Sequence, residues 1–410
     1  MIYFRESEKG IGLVENNLAK SNNDALIDEI ANWLMDQALG RIELPELAKQ
    51  CFNRLLGAGI PLFRAHIAFE TLHPLFGAVS IAWRRDGDIE TNYHQSGQQD
   101  QAWLDSPLYW MIETLTTSFR RRLIGEEANI DFPVLQEFKD QGGTDYLSYI
   151  VPFGASRDDG GIIGSWLTDR PGGFTDREIK SLLRIQKRLG VACKVGIKEQ
   201  ISENIVNAYL GRSAGKQVMN GNIHRGDGED IHAVIWFCDL RGSVKLANSM
   251  PRGDYLTVLN SFLECMAGAV MDSGGEVLRF VGDAALAIFP IVTSSADACQ
   301  AALKAATDAD DRIAALNASR QSTGDAPLNY GVGLHLGDVM YGNIGSPERI
   351  EFTVIGAAAN LAARIEGQCK VLDTRVLISS AFAHQNGGEL KSLGSHTLDG
   401  IEEPQELFTL

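Results

Sequence analysis

The stretch that decides the fold of the C-terminal half is Val234-Ile-Trp-Phe-Cys-Asp239-Leu-Arg-Gly-Ser243. The apolar and aromatic run before Asp239 predicts a buried, central strand that ends on a carboxylate. Further along, Val277-Leu-Arg-Phe-Val-Gly-Asp283-Ala-Ala-Leu-Ala-Ile-Phe289 places Asp283 in a Gly-Asp turn between two apolar strands. Because the first strand of a βαββ unit lies beside its hairpin, the two aspartates are predicted to meet at one sheet edge.

Two converging carboxylates predict a metal site. A carboxylate at the end of a buried strand is costly unless it meets a cation. Together with substrate phosphates, Asp239 and Asp283 offer the oxygen ligands that Mg²⁺ prefers, and we expect two Mg²⁺ or Mn²⁺ ions per site. Leu240 is counted with these metal ligands. The alternative, that each aspartate is only a strand-end or turn residue, is disfavoured because both end strongly apolar strands.

A loop and a helix supply further candidates. Leu240, Arg241, Gly242 and Ser243 lead from the strand toward a helix, where backbone N–H groups can cradle phosphate oxygens. Residues 349–366 read RIEFTVIGAAANLAARIE. In this segment two polar residues four apart, at positions 360 and 364, share one face of an alanine-rich helix. This predicts a closely packed helix that presents two groups to a ligand; an exposed pair of residues 364 and 366 is the alternative.

Composition and charge exclude some functions. The 410 residues are 44% hydrophobic and 22% charged, as in ordinary globular proteins. The net charge of −16 argues against a nucleic-acid-binding surface. The six cysteines form no Cys-x-x-Cys pair, which predicts reduced, buried thiols. We expect a cytoplasmic protein, because no apolar run approaches the ~20 residues of a membrane helix and the N-terminus lacks a signal-peptide pattern.

The chain is predicted to be α+β, with four parts. Residues 1–25 are polar and are expected to be a flexible N-terminus. Residues 26–175 are predicted to form an antiparallel sheet with helices, of which residues 26–75 are mostly helical and residues 77–93 form a hairpin. Residues 176–230 are predicted to be a helical connector and a boundary turn. The connector begins at a capping box of Thr175 and Glu178, and either forms dimers or packs on its own domain.

Residues 231–410 are predicted to form a ferredoxin-like βαββαβ core with additions. The predicted order is a strand (231–238), a helix (252–272), a hairpin (276–289), a helix (294–317) and a strand (328–336). Two strands near 339–344 and 350–355, a helix (357–370) and a strand (374–379) follow.

These separated motifs resemble the catalytic domain of class III nucleotidyl cyclases, the adenylate and guanylate cyclase family. The resemblance implies that Asp239 and Asp283 bind the metals and that Thr353 accepts from the adenine amino group. It implies that Asn360 orients the ribose and that Arg364 stabilises the pentavalent phosphorus. ATP would then be converted to cyclic AMP and pyrophosphate.

The resemblance also implies partners and regulation. In this family the site is shared between two subunits, so a homodimer is expected, with the aspartates of one chain facing the helix of the other. The whole chain resembles bacterial adenylate cyclases that carry an N-terminal sensory domain, and residues 26–175 are similar to a GAF- or PAS-type sensor. An unknown ligand or partner is expected there, and nucleic acid is not.

Three positions depart from the family pattern. Arg279 stands where the family has an adenine-selecting lysine, Ser243-Val244 replaces a Phe-Thr pair, and Asp399 replaces a lysine that often contacts phosphate. These departures leave alternatives open: a degenerate domain that binds nucleotide without turnover, or a guanylate cyclase. A diguanylate cyclase is disfavoured, because Gly274-Gly275 precede the strand instead of forming the hairpin turn, and Asn360 and Arg364 would have no role.

Overall fold

The structure, a computed structural model, describes residues 10–41, 43–97, 100–156 and 159–410. The chain divides into two units, an N-terminal unit of residues 1–205 and a C-terminal unit of residues 206–410. Among the described residues, no helix combines the length and apolar character needed to cross a membrane.

The N-terminal unit consists of a six-stranded antiparallel sheet and helices on both of its faces. Its helices are α1 (Gly10–Leu39), α2 (Leu44–Gly57), α3 (Gln101–Leu104), α4 (Pro107–Glu113), α5 (Pro133–Asp140) and α6 (Asp176–Leu210), of which α6 continues into the C-terminal unit. Its strands are β1 (Arg64–Glu70), β2 (Phe76–Arg84), β3 (Glu90–Gln95), β4 (Ser118–Arg122), β5 (Asp145–Pro152) and β6 (Gly161–Thr168), in the order β3-β2-β1-β6-β5-β4.

Strand alternation gives this sheet two apolar faces. One face packs against α1, α2 and α6 in a core that contains Phe52, Trp166 and Leu189. The other face packs against α4 and α5 around Tyr146 and Phe138. Both faces are therefore covered, as the mixed α+β prediction requires.

A buried carboxylate joins this sheet to the start of α6. Asp145 is fully buried and accepts two hydrogen bonds from Arg120, at 3.1 and 2.7 Å. It also accepts one from the backbone N–H of Phe174, at 2.8 Å. Two residues beyond Phe174, α6 begins, with the predicted capping box in place. The N–H of Thr175 donates to the Glu178 carboxylate at 2.7 Å, and the N–H of Glu178 donates to the Thr175 hydroxyl at 3.3 Å.

Parts of the sequence prediction for this unit were wrong. The helix α1 already begins at Gly10, inside the segment predicted to be flexible, whose residues 1–9 lie outside the described part of the chain. Within residues 26–75, predicted to be mostly helical, Arg64–Glu70 is the strand β1, and Ser118–Arg122, for which no strand was predicted, is β4. The predicted hairpin is β2 and β3, paired antiparallel.

The C-terminal unit is a larger mixed sheet with helices on both faces. Its strands are β7 (Gly228–Leu240), β8 (Glu276–Val281), β9 (Ala284–Pro290), β10 (Tyr330–Gly345), β11 (Ile350–Ile355), β12 (Val376–Ser379), β13 (Lys391–His396) and β14 (Gln405–Thr409). Its helices are α7 (Arg212–Met219), α8 (Ser243–Asn248), α9 (Arg252–Asp272), α10 (Ser295–Ser322), α11 (Ala357–Gln368) and α12 (Ser380–Asn386). The strand order is β13-β14-β12-β10-β7-β9-β8, and β11 pairs with β10 off this path.

The strand β7 lies near the middle of the sheet, antiparallel to both β10 and β9. Helices α9 and α10 pack on one face, around Trp236, Phe262 and Phe289. Helix α11 packs on the other face, around Ile235 and Ile288. The two strands predicted at 328–336 and 339–344 are one continuous strand, β10, and β13 and β14 lie beyond the predicted elements.

Glycines in β10 allow α11 to approach the sheet closely. A Cβ atom at Gly333 would lie 2.6 Å from the backbone nitrogen of Glu366, and one at Gly337 would lie 2.8 Å from the Cβ of Ala358. Such distances are shorter than real Cβ contacts allow. Small residues on both elements therefore bring helix and strand into backbone contact, which confirms the close packing predicted from the alanine-rich sequence.

The cysteines carry no disulfide. All six are free, five are buried, and Cys265 is half-buried. Burial raises the pKa of the Cys238 and Cys369 thiols to about 12, so both are protonated at neutral pH. The prediction of unpaired thiols is confirmed, and that of burial is confirmed for five of the six.

We predict that Asp145→Ala destabilises the N-terminal unit by about 3–5 kcal/mol, because Arg120 would keep its charge and lose its buried partner. The half-buried pair of Arg121 and Asp131 offers a control, since Asp131→Ala is expected to cost about 1 kcal/mol or less. Urea unfolding followed by tryptophan fluorescence measures both, because five of the six tryptophans lie before residue 206. Equal costs for the two variants would contradict the proposed importance of Asp145.

Candidate active site

The register of β7 against β9 brings Asp239 and Asp283 together. Asp239 lies opposite Ala284, the residue that follows Asp283. Asp283 itself lies in the two-residue turn between β8 and β9, where Gly282 has a φ of +65°, a value that favours glycine. The two carboxyl groups are within hydrogen-bonding reach of each other, as the strand-end pattern predicted.

Burial and mutual repulsion act on this carboxylate pair. Desolvation, and then the charge of Asp283, raises the pKa of Asp239 to about 6, against a lowering effect of the Leu240 backbone. The same two carboxylates contribute to a raised pKa of Tyr255, after desolvation. Neither aspartate forms an ion pair with a described lysine, arginine or histidine. The pair therefore concentrates negative charge without a protein cation to balance it.

This donor set fits a hard divalent cation. Two carboxylates that repel each other are stabilised by a cation between them, and oxygen ligands suit Mg²⁺ and Mn²⁺. Within the described ranges, no group of three or more histidine, cysteine or acidic side chains is arranged to hold a metal. Further ligands would have to come from backbone oxygens, water or a bound phosphate.

A third carboxylate lies near this pair. Desolvation, and then the charge of Asp239, raises the pKa of Glu366 to about 7, while Arg241 acts in the opposite direction. The Glu366 side chain packs over Gly331, where a Cβ atom would clash with its carboxylate, and Gly331 lies opposite Asp239 in the sheet. Glu366 of α11 thus lies close to the pair of Asp239 and Asp283.

The predicted phosphate loop lies directly after β7. Leu240 is buried, so only its backbone is available to a metal or phosphate. Gly242 has a φ of 72° and precedes the short helix α8, which begins at Ser243. The Arg241 side chain turns away from solvent and donates to the carbonyl of Thr374. Its Nε atom is buried and has no hydrogen-bond partner within the described part of the chain.

Of the remaining predicted residues, Arg279, Thr353 and Asn360 line a separate cavity of about 580 Å³, and Arg364 is not among its described lining residues. Its floor includes Phe237, Leu286 and Arg279, which the registers of β7, β9 and β8 place in one row across the sheet. Thr353 of β11 and Asn360 of α11 line its wall. Neither Asp239 nor Asp283 is among the described residues that line this cavity.

Thr353 has an unmet hydrogen-bonding capacity. It is 3% exposed, and its hydroxyl oxygen finds no hydrogen-bond partner among the described residues. A buried hydroxyl without a partner costs about 1–3 kcal/mol, so such groups are rare in folded proteins. Because Thr353 also lines the cavity, a ligand bound there would be positioned to satisfy it.

Two of the three predicted arginines, Arg279 and Arg364, are paired with acidic side chains of the same chain. Arg279 Nη1 donates to Glu351 Oε1 at 3.0 Å. Arg364 Nη1 lies 3.4 Å from Asp399 Oδ2, and both side chains are exposed. The alternative pair of Arg364 with Glu366 is not formed, because Glu366 points to the sheet.

Several residues near the site were not predicted from the sequence. Glu351, Arg349 and Ser346 line the cavity, and Glu366 faces the carboxylate pair. Glu351 could have been predicted from the sequence. Residues two apart in a strand share a face, and Thr353, two residues later, was already a candidate. No sequence signal pointed to Glu366, since its position depends on how closely α11 approaches β10.

Comparison with known sequences identifies the domain that contains this site. Residues 229–408 match the sequence model of the adenylate and guanylate cyclase catalytic domain. This part of the chain is a class III cyclase catalytic domain. An adenylate cyclase from Anabaena cylindrica is 34% identical over 164 residues, which are 39% of this chain and 32% of that protein. The matched segment thus spans about a third of that cyclase.

Two solved structures are also similar to this domain. The adenylyl cyclase CyaB from P. aeruginosa has 22% sequence identity and a TM-score of 0.41, over 44% of this chain and 94% of that one. The guanylyl cyclase Cya2 has 28% identity and a TM-score of 0.40, over 44% of this chain and 92% of that one.

We predict a pH-dependent effect of Asp239→Asn on stability. The folded state holds the Asp239 proton more tightly than the unfolded chain, because its pKa is raised from 3.8 to about 6. The contribution of this group to stability is therefore lost as the pH rises through that window. Without divalent cation, Asp239→Asn should raise the melting temperature relative to the unsubstituted chain above pH 6, and this advantage should shrink toward pH 4.

Added Mg²⁺ or Mn²⁺ should reverse the comparison at pH 7. The cation should raise the melting temperature of the unsubstituted chain and leave that of Asp239→Asn nearly unchanged. Asp254→Asn, at an exposed position of α9, is the control and should respond to the cation as the unsubstituted chain does. An equal response of all three proteins would contradict the metal assignment.

Proposed function

We propose that this chain is an adenylate cyclase that converts ATP to cyclic AMP and pyrophosphate. In this reaction the 3′-hydroxyl oxygen of ATP forms a bond to the α-phosphorus. The bond from the α-phosphorus to the bridging oxygen breaks, pyrophosphate leaves, and the hydroxyl proton passes to solvent. The observation that carries the proposal is the unpartnered Thr353 hydroxyl in a cavity it shares with Arg279 and Asn360, on a domain that also carries the Asp239–Asp283 pair.

The cavity residues suit a purine nucleoside. The Thr353 hydroxyl can accept from the adenine amino group, and Arg279 can donate to a ring nitrogen. Asn360 lies four residues before Arg364 on α11, so the two side chains are placed to orient the ribose and to neutralise charge at the α-phosphate. Apolar neighbours such as Phe237 and Leu286 would cover the face of the base.

Asp239 and Asp283 would hold two Mg²⁺ or Mn²⁺ ions through their carboxylate oxygens, with the Leu240 backbone beside them. Such ions supply charge neutralisation at the phosphates and lower the pKa of an attacking hydroxyl. The residues themselves keep the carboxylates close together at the end of β7, and Gly242 and Ser243 offer backbone N–H groups next to them.

We propose that a homodimer completes each site. Within one chain the carboxylate pair is absent from the lining of the cavity that holds Arg279, Thr353 and Asn360. Large apolar side chains remain exposed near both places, namely Val244, Phe280, Val281, Ile344, Ile350 and Ile355. A second copy that buries these groups would bring the carboxylates of one chain to the cavity of the other, which gives two equivalent sites.

We also propose that the N-terminal unit regulates turnover as a GAF- or PAS-type sensor. A soluble ligand or a partner protein would bind there and shift the position of α6, which passes from the N-terminal into the C-terminal unit. A cyclase whose sites lie between two subunits responds to such a shift, because small movements change their alignment.

One observation favours a second candidate, a domain that binds nucleotide without turnover. Asp399 stands next to Arg364, at 3.4 Å, and adds negative charge where the phosphates would bind. A carboxylate at this position opposes a polyphosphate by Coulomb repulsion. A guanylate cyclase is the third candidate, because Arg279 offers several donors where the family has a lysine.

The deciding experiment incubates the purified full-length protein with Mn²⁺ or Mg²⁺ and either ATP or GTP, and separates the products by chromatography. We expect cyclic AMP from ATP, and we expect Asp283→Ala to abolish it while the protein stays folded by circular dichroism. Asp254→Ala is the control and should retain activity. Nucleotide binding without product would favour the second candidate, and cyclic GMP as the main product would favour the third.

A further prediction concerns Thr353→Val, which replaces the hydroxyl by a methyl group of similar size. Because the hydroxyl has no hydrogen-bond partner among the described residues, its removal should leave the free energy of unfolding unchanged or higher. The affinity for ATP should fall about tenfold, the size of one lost hydrogen bond. Titration calorimetry and urea unfolding measure the two effects. Loss of stability with unchanged affinity would show that the hydroxyl serves the fold.

A further inference from the structure

Glu351 carries a contact that the proposed chemistry does not use. Its Oε1 atom accepts a hydrogen bond from Arg279 Nη1 at 3.0 Å, and both side chains line the cavity that contains Thr353. Glu351 precedes Thr353 by two residues in β11, so the two side chains share one face of the strand. An acidic side chain therefore lies beside the cation and the hydroxyl proposed to contact the base.

The ion pair spans two strands that no backbone ladder joins. Arg279 belongs to β8, which pairs with β9, and Glu351 belongs to β11, which pairs with β10. Among the described strand pairings, none links β8 to β11. The long Arg279 side chain is 41% exposed and the Glu351 side chain 49%. The direction of the guanidinium is thus set by this contact more than by packing.

We infer that Glu351 is a positioning residue that fixes Arg279 and thereby sets the choice between adenine and guanine. This inference rests on the proposed nucleotide cyclase function. Adenine presents an acceptor at N1, whereas guanine presents an N–H donor at N1 and an acceptor at O6. A guanidinium held by one nitrogen keeps its other N–H groups in a fixed direction. Such a fixed donor suits adenine N1 and opposes the guanine N1–H.

Release of Arg279 would weaken this discrimination. A free guanidinium can turn its N–H donors toward guanine O6. The free-energy cost of binding guanine instead of adenine would then become smaller. An exposed ion pair contributes little to stability. Its loss should therefore change the selectivity between ATP and GTP without unfolding the protein. Thr353 would stay in place, because its position depends on β11 pairing with β10.

The test is a double-mutant cycle on the full-length protein, with kcat/KM measured for ATP and for GTP. The four proteins are the unsubstituted chain, Glu351→Gln, Arg279→Ala and the double variant. Glu351→Gln should lower the ATP-to-GTP ratio of kcat/KM about tenfold, the effect of one charge-assisted hydrogen bond. In the Arg279→Ala background the same change should have no further effect, because a positioning residue acts only through the group it positions.

Two further variants control for structure and charge. Glu348→Gln removes an exposed carboxylate from the turn before β11, and it should leave the ratio unchanged. Glu351→Asp keeps the charge on a shorter side chain, and it should give an intermediate ratio. An unchanged ratio in Glu351→Gln, or equal effects of this change with and without Arg279, would overturn the inference.

The cycle also separates this inference from the proposed function. If the unsubstituted protein forms no cyclic nucleotide, the cyclase proposal fails, and the same four proteins are compared by calorimetric dissociation constants for Mn²⁺-ATP and Mn²⁺-GTP. A coupled shift of the dissociation-constant ratio would still support Glu351 as the positioning residue. Absence of binding by either nucleotide would overturn both proposals.

Discussion

The repulsion between Asp239 and Asp283 is the constraint around which the C-terminal unit is built. Backbone pairing of β7 with β9 fixes these carboxylates next to each other, and burial at the strand end prevents water from screening them fully. The two carboxylates could move apart only through a shift in the register of β7 against β9. Such a shift would move every apolar side chain of β7 to the wrong face of the sheet. The charge therefore has to be balanced from outside the chain, by protons at low pH or by cations. This unbalanced charge is the physical basis for the proposed binding of a divalent cation.

A second constraint is the contact of α11 with β10. Glycines at 331, 333 and 337 remove side chains from the face that the helix covers, and alanines on α11 do the same from the other side. This close contact places Asn360 at the cavity while Glu366, on another side of the same helix, faces the carboxylate pair. Helix α11 thus connects two places that would belong to different active sites of a shared-site dimer. A movement of α11 would therefore displace residues both at the cavity and at the carboxylate pair.

The residues that sequence reasoning found and missed follow from the range of the interactions involved. Asp239, Asp283 and the capping box of Thr175 could be predicted because strand ends, Gly-Asp turns and helix caps depend on a few neighbouring residues. The strand β4 was missed because its partner β5 is distant in sequence. The strand β1 was missed although it pairs with the nearby β2 as well as with the distant β6, because its residues were included in the helical stretch before it. The continuity of β10 and the ion pairs of Arg279 and Arg364 depend on tertiary contacts, which no local pattern encodes. The cyclase resemblance supplied the roles of Thr353 and Asn360; the unmet hydroxyl of Thr353 became visible only in three dimensions.

The pairing of both arginines with carboxylates bears on how such a site stays selective. A chain with a net charge of −16 repels polyphosphates at long range, so binding must depend on a few local cations. Here each of these cations has a competing partner, Glu351 for Arg279 and Asp399 for Arg364. The two partners act differently. Glu351 lies in the cavity beside the residues proposed to contact the base, where a fixed geometry would add discrimination. Asp399 lies in an exposed loop next to Arg364. Its negative charge would repel the bound phosphates unless its side chain moves away. Under the proposed function, recognition of the base would be rigid while recognition of the phosphates would be weak, and weak phosphate binding would favour the departure of pyrophosphate after each turnover.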